Sequence, residues 1–289
     1  MPISEQGYSH WQGTFVERRW PWWPITRLGI RLAFKRKFFK FIFSVALGPA
    51  MLFSAGVYVS ERLEDFQSML RGPSRFLEVN PAYFKSYFTN EPMLFMMVIV
   101  LVLAGAGLIC DDLKYNSLQL YFSRPLRKRD YFFGKMFTLF FFLFLMTLIP
   151  GLLFVLLKII FAGSFKFLAE YPWLPLSVIA FSILITLFFA FYTLLISSLS
   201  KNRRYVSILL FLVYVFSDMF FGIFYGIFHN PYFSLLSIRG NILQVGAFFF
   251  RVKAPFSVPW IYSFLVLAAF CVVSGLVLKK KIRGVEVIK

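Results

Sequence analysis

The sequence predicts an all-α membrane protein with six transmembrane helices, an amino-terminal interfacial helix and both termini in the cytoplasm. Three observations predict it. Of the 289 residues, 59% are apolar and only 15% are charged, whereas soluble domains run nearer about 45–50% and about 25%. Six stretches reach the roughly 20 apolar residues that a helix needs to cross a hydrocarbon core. The cations then divide unevenly between the two faces these stretches define. Of 31 lysines and arginines, 21 share the side of the amino terminus, 8 lie opposite, and Lys40 and Lys158 fall inside spans. Such an excess marks the cytoplasmic face. It also accounts for the net charge of +18: the basic residues hug span ends with no interleaved RNA-binding aromatics, so no nucleic-acid partner is expected.

Residues 1–37 are expected to form a cytoplasmic tail and an amphipathic helix. They are polar and basic, and the apolar run after them is too long for a signal-peptide core, so the segment should remain attached. Trp20, Trp22 and Trp23 with Pro21 and Pro24 form an interfacial aromatic cluster. A short helix then runs from about Ile25 to Lys37. Arg27, Arg31 and Lys35 recur at i, i+4, i+8, and Ile25, Leu28 and Leu32 share another face. The helix either lies along the inner leaflet or acts as a simple positive-inside anchor.

The transmembrane domain takes residues 38–278. Its spans are expected near Phe38–Val59, Pro92–Cys110, Lys135–Phe161, Leu174–Leu199, Tyr205–Phe228 and Pro259–Leu278, with a basic cytoplasmic tail at 279–289. Two outside segments, about 60–91 and 229–258, are long enough to have structure of their own. In the first, Leu63, Phe66 and Leu70 recur at helical spacing beside Glu61, Glu64 and Asp65, which suits an amphipathic surface helix. In the second, Leu235 to Phe250 is apolar but interrupted by Arg239, Gly240, Asn241 and Gln244. That is too polar for a seventh span and fits a re-entrant or interfacial helix covered by protein. Cys110 and Cys271 sit at or within spans, so no disulfide framework is expected.

A search for chemistry returns little. The only Gly-Lys pair is Gly134-Lys135, with Arg129 where a phosphate-binding loop needs its first Gly and Met136 where it needs Ser or Thr. His10 and His229 fall on opposite sides of the membrane and cannot share a metal. No catalytic, cofactor-binding or metal site is therefore expected in this chain. Asp218 is the one acidic residue inside a span, 13 residues beyond Tyr205, hence about 20 Å into the helix. It must face protein or water: either a substrate path or a seam with a second copy, or a structural contact within the bundle. Lys158 lies at the wrong depth to be its partner and can snorkel to the outer interface. Gly222 and Gly226 on the same helix form Gly-x-x-x-Gly, which admits another helix closely, from this chain or another.

The segment 111–134 between spans two and three is the most informative. It is amphipathic and cytoplasmic. Asn116 and Ser117 can cap a short helix, Pro125 can break it, and Arg127, Lys128 and Arg129 present positive charge to an acidic partner or to headgroups. These residues resemble a loop of the type-2 permeases of ATP-binding-cassette exporters. That loop has an acidic residue, then Gly-Thr-Leu, a Leu-rich stretch, Ser-x-Pro, an Arg, and Gly-Lys opening span three. Here Asp112 takes the acidic place, Asn116-Ser117-Leu118 the Gly-Thr-Leu, Ser123-Arg124-Pro125 the Ser-x-Pro, and Gly134-Lys135 the end.

The resemblance extends over nearly the whole chain, although only the loop is specific. It implies a permease subunit, not an enzyme, in a prokaryotic cytoplasmic (inner) membrane. Residues Asp111, Asp112, Asn116, Ser117, Leu118, Ser123, Arg124, Pro125, Arg127, Lys128 and Arg129 would couple to a separate ABC ATPase subunit, present in two copies and holding the ATP and Mg. Arg27, Arg31 and Lys35 of the interfacial helix would brace that junction. Asp218, Gly222 and Gly226 would face the path or the seam with a second permease, identical or homologous. Membrane lipid is a further partner, and an extracytoplasmic accessory protein is left open. Two alternatives stand beside this: an ATP-independent carrier or channel using Asp218, and a scaffold or enzyme using outside residues such as His229 or Glu78.

Overall fold

The computed structural model describes residues 20–62, 79–122 and 126–281. The described chain opens with α1 (Trp23–Phe34), α2 (Lys37–Ala46), α3 (Gly48–Glu61), α4 (Pro81–Thr89), α5 (Glu91–Gly105), α6 (Gly107–Lys114) and α7 (Ser117–Phe122). It continues through α8 (Lys128–Met146), α9 (Leu148–Ala162), α10 (Lys166–Glu170), α11 (Leu174–Leu199), α12 (Arg203–Phe228), α13 (Ile238–Phe249) and α14 (Trp260–Lys281), with a 3-10 helix at Pro231–Leu236. Six stretches are long and apolar enough to cross a membrane. Spans one to three are Lys37–Glu61, Glu91–Lys114 and Lys128–Ala162; spans four to six are α11, α12 and α14. No strand occurs among the described residues. Successive spans alternate in direction, so one end of the bundle gathers α1, α7, Lys114, Arg203 and Lys279–Lys281 and is called the basic end below.

Spans two, three and four form the centre, with 61%, 56% and 61% of their apolar windows buried, against 17%, 17% and 22% for spans one, five and six. Rings fill much of the space between them. Phe39, Phe43 and Phe142 cluster with Phe34 of α1, and Phe88, Phe181 and Phe250 meet at the opposite end. Edge-to-face and offset contacts of this kind add to plain area burial.

Each of the first three spans is interrupted, and the interruptions have identifiable causes. Pro49 opens α3 and withholds the amide that would have bonded the Val45 carbonyl. Pro150 does the same to the Met146 carbonyl, and the buried Tyr87 hydroxyl of α4 donates to that oxygen at 2.5 Å. In span two the helix breaks around Ala106, and Ser197 of span four repairs the break. Its hydroxyl donates to the Ala106 carbonyl at 2.8 Å and accepts from the Ile109 and Cys110 amides at 3.0 and 3.1 Å. With no water in a bilayer core, freed backbone groups must be satisfied by such internal partners.

Several expected boundaries shift. Span three starts at Lys128, not Lys135, because the Asp130 carboxylate accepts from the Arg127 amide at 3.2 Å and caps the helix below its apolar stretch. The amino-terminal helix ends at Phe34, since Arg36 is extended (ψ 118°) and starts span one afresh. The segment after span one contains α4, which periodicity missed; Asn80 accepts from the Tyr83 amide at 3.1 Å to cap it. The surface helix expected around Leu63, Glu64, Asp65, Phe66 and Leu70 lies outside the described residues, as do His10, Glu78 and 282–289. The segment before span six is the expected covered helix: Asn241 and Gln244 of α13 are buried. Lys158 does not merely snorkel; it forms an ion pair with Glu61, joining the far ends of spans one and three.

Candidate functional site

At the basic end, α6 forms the last part of span two beyond its break and carries Asp111 and Asp112 past the apolar region. Asp112 turns inward. Its Oδ2 accepts from Lys135 Nζ at 2.7 Å and from the Tyr131 hydroxyl at 2.7 Å. The Lys135 and Asp112 side chains are only 11% and 13% exposed, and the ammonium also lies over the Tyr121 and Tyr131 rings at 5.8 and 5.4 Å. Burial, and then the Asp112 charge, push the Tyr121 phenol above its usual pKa. An ion pair this deep needs the added hydrogen bond and ring contacts to offset desolvation. It fastens span two to span three across the loop that joins them.

Asp111 points elsewhere, toward Arg203 at the start of span five, 3.9 Å away. Asp112 is therefore withdrawn from the outer surface of the loop, whereas the Asp111 side chain stays 39% exposed. Asn116 turns the chain with φ 51°, in the left-handed region that Gly and Asn tolerate better than other residues. This explains why Asn can stand where the resembling loop has Gly. The Gln119 amide bonds the Asn116 carbonyl at 3.2 Å, starting the six-residue α7. Leu118 packs inward and Ser117 is half-buried, whereas Lys114, Tyr115, Asn116, Gln119, Arg127, Lys128 and Arg129 are exposed. The outward surface is thus polar and basic. Ser123, Arg124 and Pro125 lie outside the described residues.

Beside this loop, α1 lies against α8. The approach is close because two glycines permit it: a Cβ on Gly29 would meet Thr138 Oγ1 at 2.7 Å, and one on Gly134 would meet Ile25 Cβ at 2.7 Å and the Trp22 carbonyl oxygen at 3.0 Å. Thr26 Oγ1 donates to the Gly134 carbonyl at 3.0 Å, and Trp22 stacks on Phe137 at 4.6 Å. Of the expected apolar face only Ile25 is packed; Leu28 and Leu32 remain exposed alongside Arg27, Arg31 and Lys35. The helix therefore has a protein face, an apolar face and a basic face.

Span five shares with span one the least buried apolar window, 17%. A Cβ on Gly222 or Gly226 would meet nothing within 4 Å, so close packing within the described chain does not account for the pair. Asp218 accepts from the Ser237 hydroxyl and lies 3.7 Å from Arg239 Nη1. That same nitrogen is 3.4 Å from Glu91 at the start of span two. Sequence reasoning missed Arg239 as a partner. The available signal was simple: Asp218 is the lone carboxylate within the apolar runs predicted as spans, and Arg239 the lone cation between His229 and Phe250. Among the described residues no cluster of His, Cys, Asp or Glu has metal-site geometry.

A family described as ABC-2 family transporter protein matches residues 34–218. The chain belongs to that family. The matched stretch includes spans one to four, the whole 111–134 loop and span five as far as Asp218. Helix α1, the α13 segment and span six lie beyond it. No curated protein matches the chain. An ABC-2 membrane protein is the multi-pass permease subunit of an ABC transporter. The ATPase is a separate component, and nucleotide binding belongs to it.

Proposed function

We propose that this ABC-2 permease is the membrane half of an exporter that works as two permeases with two ATPase subunits. ATP and Mg are held by the ATPases, and both termini face the cytoplasm of a prokaryotic cell. The observation that carries the reading is the division of labour within residues 111–134. Asp112 is spent inside the protein, tying the loop to Lys135, while α7 and Arg127, Lys128 and Arg129 remain outward for a partner. A surface of this kind, fixed to two spans by a buried ion pair, passes a push on α7 directly into the bundle. Arg27 and Arg31 of α1 lie on the same end and brace the junction. The bare face of span five, with Gly222 and Gly226, meets the second permease or the path between them.

A carrier driven through Asp218 is less well supported, because Ser237 and Arg239 already engage that carboxylate. The deciding experiment is affinity purification of the tagged chain in mild detergent, with mass spectrometry and an ATPase assay. The reading expects an ABC ATPase in near-equal amount, released when Arg127, Lys128 and Arg129 are all changed to Gln. A chain that purifies alone and transports without ATP overturns it.

A further inference from the structure

Where span two breaks, the freed carbonyl of Leu103 attracts two guanidinium groups at once. Arg36 Nη1 donates to it at 3.2 Å and Arg203 Nη2 at 3.0 Å. Two like charges on one oxygen repel each other, and Arg36 responds. Partial desolvation, and then the Arg203 charge, lower its pKa below the usual guanidinium value, with Asp111 partly opposing them. Next to this pair opens a cleft of about 710 Å³ between the ends of spans two and five, lined by Asp111, Lys114, Arg203, Arg204, Ser207 and Ile208 among others. Arg36, Lys114, Arg203 and Arg204 thus gather around one carboxylate, Asp111, itself 3.9 Å from Arg203. Among the described residues no other carboxylate lies within ion-pair distance of these four cations. The cleft has an unmet demand for negative charge.

Its surroundings indicate what form that charge takes. Ile208 forms part of the lining and is 55% exposed, and Phe211 and Leu212 follow it on the same helical face at 37% and 36%. The face continues through Phe216 and Met219, at 40% and 46%, so from Ile208 to Met219 the strip covers about 17 Å of helix, about half a hydrocarbon core. That is the reach of one acyl leaflet. A free phosphate would use the cations but not the strip.

We propose that this cleft is a binding site for the phosphate headgroup of an anionic phospholipid, with an acyl chain lying along Ile208, Phe211 and Leu212. Arg204 and Lys114 supply charge to the headgroup, Ser207 is placed to donate a hydrogen bond, and Arg203 is held in place by Leu103 and Asp111. The site leaves Gly222 and Gly226, farther along the helix, free for another protein. It does not depend on the direction of transport.

The test is native mass spectrometry of the full chain, purified in non-ionic detergent and loaded with phosphatidylglycerol or phosphatidylcholine. A basic residue near an anionic membrane surface is worth about fivefold in binding. Lys114→Gln with Arg204→Gln should therefore reduce phosphatidylglycerol retention about 30-fold. Lys279→Gln with Lys280→Gln, which removes as much charge at the same end, should leave it unchanged. Ile208→Glu removes no cation but should expel the lipid as effectively, and elution volume and circular dichroism report that each variant is folded. Millimolar inorganic phosphate should leave the lipid bound. Equal retention of the two lipids, equal loss in both charge variants, or displacement by phosphate would each overturn the proposal, the last by assigning the cleft to a soluble anion. Loss of a co-purifying ATPase with phosphatidylglycerol unchanged would instead assign it to protein docking.

Discussion

Replacing Asp112 with Asn tests whether the acidic residue of the loop is structural. The substitution keeps the size and leaves an acceptor for Tyr131, but it removes the charge that faces Lys135 at 2.7 Å. Breaking one side of a buried pair costs about 3–5 kcal/mol, because the other charge is stranded. Here the Tyr121 and Tyr131 rings still face the ammonium and return about 1 kcal/mol, so about 3 kcal/mol is expected. Adding Lys135→Met removes the stranded charge and retains the packing of its stem. The double variant should then fall within about 1 kcal/mol of the parent, about 2 kcal/mol better than Asp112→Asn alone. The assay is reversible unfolding of the four proteins of the cycle in mixed micelles, followed by tryptophan fluorescence. If Asp112→Asn alone unfolds like the parent, or the double variant is no better than the single, the inward pairing is wrong and Asp112 belongs to the docking surface.

Four further outcomes follow from close contacts. Tyr87→Phe leaves the Met146 carbonyl unpaired beside Pro150 and should cost about 1–3 kcal/mol in the same unfolding assay, whereas Tyr58→Phe, at a half-exposed ring edge, should cost almost nothing. Gly134→Ala places a methyl group against backbone at Trp22, which cannot move aside as a side chain would. It should release α1 from α8, read as new protease cleavage between Trp20 and Lys37 with span three intact. Ser197→Ala orphans two amides and a carbonyl at the span-two break and should destabilise by about 2 kcal/mol or more. Gly222→Ala with Gly226→Ala adds methyl groups that meet no atom within 4 Å, so it should leave the protomer's unfolding unchanged while weakening permease pairing, measured by cross-linking in membranes.

The six spans were legible because a hydrophobic run of about 20 residues has few alternatives, and Leu174–Leu199 is observed at the bounds the apolar pattern sets. What escaped the pattern was polar and local. The start of span three moved because Asp130, a single capping residue, outweighed the polarity of Lys128 and Arg129. Helix α4 was missed because its buried rings, Phe84, Tyr87 and Phe88, give a single i, i+3, i+4 repeat, and only Asn80 and Pro81 signal its start. In the loop, the sequence names residues but not their directions. Adjacent residues on a helix point about 100° apart, and only the position of Lys135 and Arg203 in space decides that Asp112 faces inward and Asp111 sideways.

That difference in direction bears on how a push from an ATPase would travel. Asp112 locks α6 to the start of span three, so the two flanks of α7 move as one piece. Asp111 reaches only Arg203, at 3.9 Å, and Arg203 in turn holds Leu103 at the break in span two. The link to span five is therefore long, partly exposed and made at a point where the helix is already interrupted. Span five is also among the least buried of the six. On the proposed reading, spans two and three transmit the stroke as a rigid unit, and span five turns relative to them about the Arg203 contact. A disulfide that joined span five to α6 there should block transport while leaving ATPase binding intact, whereas one between α6 and α8 beside Asp112 and Lys135 should leave both unchanged. Equal loss of transport from the two cross-links would place the moving joint elsewhere.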